Sequence, residues 1–197
     1  MKPLIVGALL MLGIRCAHGE HIDIRHGGSV VSPNKHYDIV VAAVDPEKMP
    51  GSSAVSLRVR DGSKQLLLFR SEAGGRGVDI FWSPDSSRVA INSYEANSGD
   101  SLHVFAIHGA SATRLRKPAY DATERKLLSR HPKFGRIELN RWSLYAKQWR
   151  DSQLLDTIMR GEYYAPHHSL ETFAFIWTLR SRRRNDFEIV HETVIPY

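Results

Sequence analysis

The chain has 197 residues, 27 basic and 21 acidic side chains, a formal net charge of +6 and one cysteine. That excess is too mild for a polycation that holds nucleic acid by charge alone, so no specific nucleic-acid partner is expected. A single cysteine excludes a disulfide-stapled scaffold, so an ordinary apolar core has to hold the fold.

Residues 1–19 read as a secretory signal peptide. Lys2 precedes an apolar run from Leu4 to Ile14, and Ala17 and Gly19 are the small residues a cleavage site needs. The run is short for a membrane span. Cys16 follows Arg15, where a lipid-attachment site requires a small residue, so simple cleavage after Gly19 is expected. Cleavage removes the only cysteine, leaving residues 20–197 without a disulfide in an oxidising compartment. The expected location is periplasmic or secreted, and no later stretch is apolar enough for a transmembrane helix.

"VVSPNKHYDIVVAAV", Val30 to Val44, places Ser32-Pro33-Asn34 between two β-branched runs. "SAVSLRVRDGSKQLLLFR" follows, two strands predicted to meet at Asp61-Gly62-Ser63. In "FWSPDSSRVAIN", Phe81 to Asn92, the same chemistry recurs: Pro84 presets φ for a type I turn, while Ser83 and Asp85 bond nearby N–H groups. "DSLHVFAIHGASATRLRK" then supplies two strands joined across His108 to Ser111. Ala119 to Arg136 breaks the pattern and predicts a short helix, with Asp121 as N-cap, Glu124 three residues on, Pro132 as a stop, and Leu127 and Leu128 inward. "QWRDSQLLDTIM", Gln148 to Met159, is a degraded third copy of the hairpin, with Trp149 in the place of Trp82. Two last strands, joined at Arg182 to Asp186, put Phe173, Phe175, Trp177 and Leu179 on one face.

Four-stranded meanders at intervals near 50 residues are the signature of a blade array. "FWSPDSSRVAINSY" with "DSLHVFAI" resembles the WD40-like β-propeller repeat of periplasmic TolB-type proteins, in which a W-S-P-D signature joins the inner two strands of a blade. The resemblance implies an all-β fold of antiparallel four-stranded meanders, arranged as a partial or oligomer-closed β-propeller with one short helical insertion. The blade-like units fall at about 21–70, 78–118 and 137–193, and the insertion at about 119–136. Three blades are fewer than a ring usually needs, so either the insertion covers an exposed sheet or a second copy of the chain completes the ring as a homodimer. The motif is structural and transfers no catalytic residue.

A meander puts its tight turns at one end and its longer connections at the other, where binding residues concentrate. There "GEYYAPHHS", Gly161 to Ser169, offers Tyr163 and Tyr164 as amphipathic surfaces and His167 and His168 as imidazoles. Arg76, in "SEAGGRGVD", is a further binding candidate; the glycines lack the following helix that a phosphate cradle requires. Glu95, Asn97 and Asp100 faintly echo a calcium loop without its closing acid. At the opposite end, Arg180, Arg182, Arg183 and Arg184 form a cationic hairpin tip suited to a polyanion. No catalytic residue, metal site or cofactor is expected: there is no G-x-S-x-G elbow, and no thiol remains after cleavage. The expected function is a non-enzymatic binding or scaffolding module with an envelope protein or glycan as partner. A small envelope hydrolase or metal-dependent enzyme centred on 161–169 is the alternative.

Overall fold

The structure, a computed structural model, describes residues 19–44, 52–62, 64–71, 76–94, 102–117, 119–130, 137–165, 169–182 and 186–195. The expected signal peptide lies outside the described residues except at Gly19, and so does the calcium-like segment at 95–101. The described residues form three antiparallel sheets and one helix. The first sheet is a meander of β2 (Gly28–Val31), β3 (Tyr37–Ala43), β4 (Ser53–Val59) and β5 (Gln65–Ser71). The second runs through β6 (Val78–Trp82), β7 (Arg88–Ser93), β8 (Leu102–His108) and β9 (Ser111–Arg114). The third is β10 (Glu138–Trp149), β11 (Leu154–Tyr164), β12 (Leu170–Ser181) and β13 (Phe187–Val194). One strand departs from the expected grouping. β1 (Glu20–Ile22) leaves the first unit and pairs with β6, adding a fifth strand to the second sheet.

The Ser-Pro turns follow one design. In the β6–β7 turn, Ser86 N–H donates to the Ser83 carbonyl at 2.9 Å, closing a β-turn over Pro84 and Asp85. Ser83 Oγ bonds Asp85 Oδ1 at 2.8 Å and accepts from Arg88 N–H at 2.9 Å. In the β2–β3 turn the equivalents are Lys35 N–H to the Ser32 carbonyl at 2.9 Å, Ser32 Oγ to Asn34 Oδ1 at 2.8 Å, and Tyr37 N–H to Ser32 Oγ at 3.0 Å. Lys35 and Ser86 even share a left-handed backbone, φ 63° and 61°. The third turn lacks the serine and is one residue shorter: Arg150 N–H reaches the Leu154 carbonyl directly, while Asp151 still accepts from Gln153 N–H at 2.7 Å.

The sheets stack through residues that alternate along each strand. Val78, Ile80, Trp82, Val89, Ile91, Phe105 and Ile107 pack on Ile39, Val41, Val55 and Leu57 of the first sheet. Their sequence neighbours Phe81, Ala90, Val104 and Ala106 pack on Leu144, Trp149, Leu155 and Trp177 of the third. Because both faces of the second sheet are covered, β8 reads as a continuous apolar run broken only by His103, rather than a strict alternation. Each interface carries the same polar contact. Trp82 Nε1 donates to the Val30 carbonyl at 3.4 Å, and Trp149 Nε1 donates to the Phe81 carbonyl at 2.9 Å. Val30 and Phe81 occupy matching positions, two residues before their turn serine and proline begin.

The third sheet is the largest, because the 12-residue β10 and β12 overrun the 5-residue β6. Helix α1 (Ala119–Arg130) fills the shelf this leaves. Leu127 is fully buried in the same cluster as Leu139, Tyr163, Phe173 and Phe175, and Leu128 packs against it. Arg130 lies 5.1 Å over the Phe175 ring. Lys126 pairs at 2.5 Å with Glu192, which also accepts from Trp177 Nε1 at 3.0 Å. The helix begins two residues before Asp121, so that carboxylate sits in the first turn and favours the helix dipole rather than serving as the N-cap. Pro132 lies outside the described residues.

The outer faces of the end sheets carry polar networks. On β3, Asp38 points away from the core residue Ile39 yet is buried beneath Arg58, which reaches it at 2.5 and 3.0 Å. On β11, Asp156 accepts from Arg150 Nε at 2.8 Å, Thr178 Oγ1 at 2.8 Å and Gln148 Nε2 at 3.2 Å. Burial pushes the Asp156 carboxyl up, but the hydrogen bonds from Arg150, Thr178 and Gln148 outweigh it and hold the group below the usual carboxylate range.

Two outcomes are expected. Trp149→Phe should cost about 1 kcal/mol by urea denaturation, the net worth of the lost hydrogen bond, whereas Trp149→Ala should cost about 3–5 kcal/mol. His103 stacks 4.0 Å from the Phe69 ring and faces Arg114 at 2.9 Å. Burial, then the charges of Arg114 and Lys117, bring its pKa down to about 3. The folded state therefore resists protonating this group while the unfolded chain accepts a proton, so its contribution is complete above pH ~6.5 and erodes below it. The urea midpoint should fall with acidification by the equivalent of about 1.4 kcal/mol per pH unit between pH ~6.5 and ~4, and His103→Asn should flatten that slope.

Candidate functional site

The residues singled out in the sequence fall in separate places. Gly161 to Tyr164 do not form a loop; they are the last turn of pairing in β11, opposite Phe173 to Leu170. Tyr163 is buried, 4% exposed, and its hydroxyl donates to Glu171. It is a core residue and offers no binding surface, because period-two alternation turns it inward alongside Leu139. Tyr164, its neighbour, faces solvent. Gly161 is required where it stands: a β-bulge between Leu139 and Arg141 brings the neighbouring backbone so close that any Cβ would collide with the Arg141 carbonyl and Trp142. His167 and His168 lie outside the described residues, as do Arg183 and Arg184. Of the cationic hairpin tip, Arg182 bonds Glu188, and Arg180 lies 3.9 Å from the same carboxylate. Part of that tip's charge is therefore already matched, and it stands a full strand length from Tyr164. Arg76 is exposed, and its N–H donates to the Tyr94 carbonyl at 3.0 Å.

That last contact leads to a cleft that is smaller than the hollow of about 460 Å³ beside Gly27 and Val41 but is lined by two tyrosine rings, Tyr94 and Tyr145. It has a volume of about 220 Å³ and opens where the second sheet meets β10. Asn92 builds the joint. Its side-chain amide accepts from Ala146 N–H at 2.7 Å and donates to the Ala146 carbonyl at 3.0 Å, imitating a strand residue on the edge of β10. Tyr94, two residues further, reaches past that edge and stacks on Tyr145 with ring centroids 5.7 Å apart. Arg160 lies 5.2 Å over the Tyr145 ring. Asp79 is the acid of the cleft: it accepts from the Tyr94 hydroxyl and, at 2.6 Å, from His21 Nδ1, its direct cross-strand neighbour on β1. A second hollow of about 300 Å³ continues the cleft along β10 and β11, sharing Tyr145 and Arg160 and adding Arg141, Ser143, Glu162 and Thr172.

The His21 ring is half-exposed and stands beside Gly77, where an added Cβ would come within 2.5 Å of Cε1. Among the described residues no three His, Cys, Asp or Glu side chains come together as metal ligands. What the cleft offers is a carboxylate, aromatic faces, hydroxyls and cations in one concavity, the equipment of recognition.

The signals for this site were faint. Asp79 interrupts the apolar run of β6, an acid in a strand otherwise fit for burial, and Tyr145 with Arg160 lie on the outer face of the third sheet. Nothing local ties His21 to a residue 58 positions away. No family model matches the chain, and neither a curated protein nor a solved structure does.

Burial, then the hydrogen bond to Asp79, raises the Tyr94 hydroxyl well above the ordinary phenol range, and burial with Glu171 brings Tyr163 up to about 12. A raised folded value stabilises the fold below pH ~10 and is lost as pH climbs above it. Ultraviolet titration of the folded protein should show late ionisation from Tyr94 and Tyr163, and Tyr94→Phe should remove one of the two.

Proposed function

We propose that this protein is a non-enzymatic binding or scaffolding module of β-propeller type, periplasmic or secreted, and that the cleft beside β10 is its recognition site. The observation that carries the architecture is the tryptophan-to-carbonyl hydrogen bond, repeated at matching positions in both sheet interfaces. Three blade-like sheets with the W-S-P-D turn at the corner of the second are what the TolB-type resemblance implies. The location rests on residues 1–19 and the binding role on the cleft lining. The polar networks around Asp38 and Asp156 favour a stack that ends at both faces over one continued by a second copy.

The partner expected is an envelope glycan or an envelope protein segment. Protein recovered from the periplasm of an exporting host should begin at Glu20. Thermal-shift screening of that protein against neutral glycans, acidic glycans and short peptides should yield at least one stabilising class. Tyr145→Ala, which removes the stacked platform, should abolish the shift while leaving the fold intact. Absence of stabilisation by any class, or a shift that Tyr145→Ala leaves unchanged, would overturn the assignment of the cleft.

A further inference from the structure

Resting on that reading of the cleft, we infer that its ligand is an acidic carbohydrate, a chain of hydroxylated rings bearing carboxylates. Three cations border the two joined hollows: Arg141 and Lys147 on β10, and Arg160 on β11. All three are exposed, and among the described residues no carboxylate lies within ion-pair distance of any of them. Arg160 instead spends its guanidinium on the Tyr145 ring. Arg160 stands directly opposite Ser143, the residue two along from Arg141. The strand rise then spaces Arg141 and Arg160 roughly 7 Å apart along β10, with Lys147 further on. Glu162 stands directly opposite Arg141, so Arg160 and Lys147 are the cations without a carboxylate across the strand pair, and the track follows an extended ligand rather than one small anion.

The same hollows hold two carboxylates, and these decide between ligand classes. Asp79 sits at one end, and Glu162, 3.2 Å from Asn140 Nδ2, at the other. An acidic peptide has only its backbone N–H groups to donate, and its densely spaced side-chain carboxylates meet both with repulsion. A sugar acid presents hydroxyls that donate to Asp79 and Glu162 while its carboxylates pair with Arg160 and Lys147. Ser143, Thr172 and the hydroxyl of Tyr145 add neutral partners of the kind that sugar hydroxyls use. The lining thus matches a ligand that is both hydroxylated and anionic.

Calorimetric titration of the purified chain with tetragalacturonic acid, cellotetraose, tetraglutamate and inorganic phosphate tests this. Tetragalacturonic acid should bind, and its affinity should drop at least tenfold between low and high salt. Arg160→Gln and Lys147→Gln should each weaken it at least fivefold with little change in melting temperature, since both side chains are exposed. Equal binding of cellotetraose, or tighter binding of tetraglutamate or phosphate, would overturn the inference. Should another ligand bind in a manner lost with Tyr145→Ala while tetragalacturonic acid does not, the ligand class fails and the cleft stands. Failure of every ligand class there removes both.

Discussion

The structure depends on a tryptophan indole reaching across to a backbone carbonyl of the preceding sheet. Trp82 makes that contact to Val30 and Trp149 makes it to Phe81. Each indole buries a large apolar surface and satisfies its one donor in the same act, so the pairing fixes both the spacing of the sheets and their register. Around it the turns interlock as well. Asn34 N–H donates to Ser86 Oγ at 3.0 Å between the first two sheets, and Arg88 donates to the Ser152 carbonyl at 2.7 Å between the second and third. The corners of the meanders are thus the places where the stack is held, and the W-S-P-D residues do two jobs there.

The third sheet shows what happens when one sheet outgrows its neighbours. Its long strands leave an inner shelf that the second sheet cannot reach, and the helix covers it with Leu127 inside and charged anchors at Arg130 and Lys126. On the other side of the same sheet, the overrun leaves Tyr145, Arg160 and Arg141 lining open space. One geometric fact, unequal strand length, accounts for both the insertion and the cleft. The joint between sheets is sealed at its narrow end by Asn92, whose amide replaces a missing strand residue at Ala146.

Local chemistry made much of the fold legible. Val78 to Trp82 and the run from Arg88 are strands because β-branched and aromatic residues flank a Ser-Pro-Asp turn, and the helix follows from Leu127 and Leu128 set between polar residues. The site was less legible. Tyr163 and Tyr164 look alike in sequence, but a strand turns adjacent side chains to opposite faces, so one became core and the other surface. Arg180 and Arg182 look like free charge until Glu188, six residues beyond Arg182, folds back across the hairpin.

The sequence by itself determined the repeated turn chemistry and the alternation that builds each sheet, because these act over a few neighbouring residues. Only the tertiary structure decided that β1 would cross to β6 and carry His21 to Asp79, and that Tyr94 would lie on Tyr145. Those contacts join residues about 50 positions or more apart, and their geometry is set by the stacking of whole sheets. No local preference encodes such a distance, so the cleft exists only once the sheets are packed.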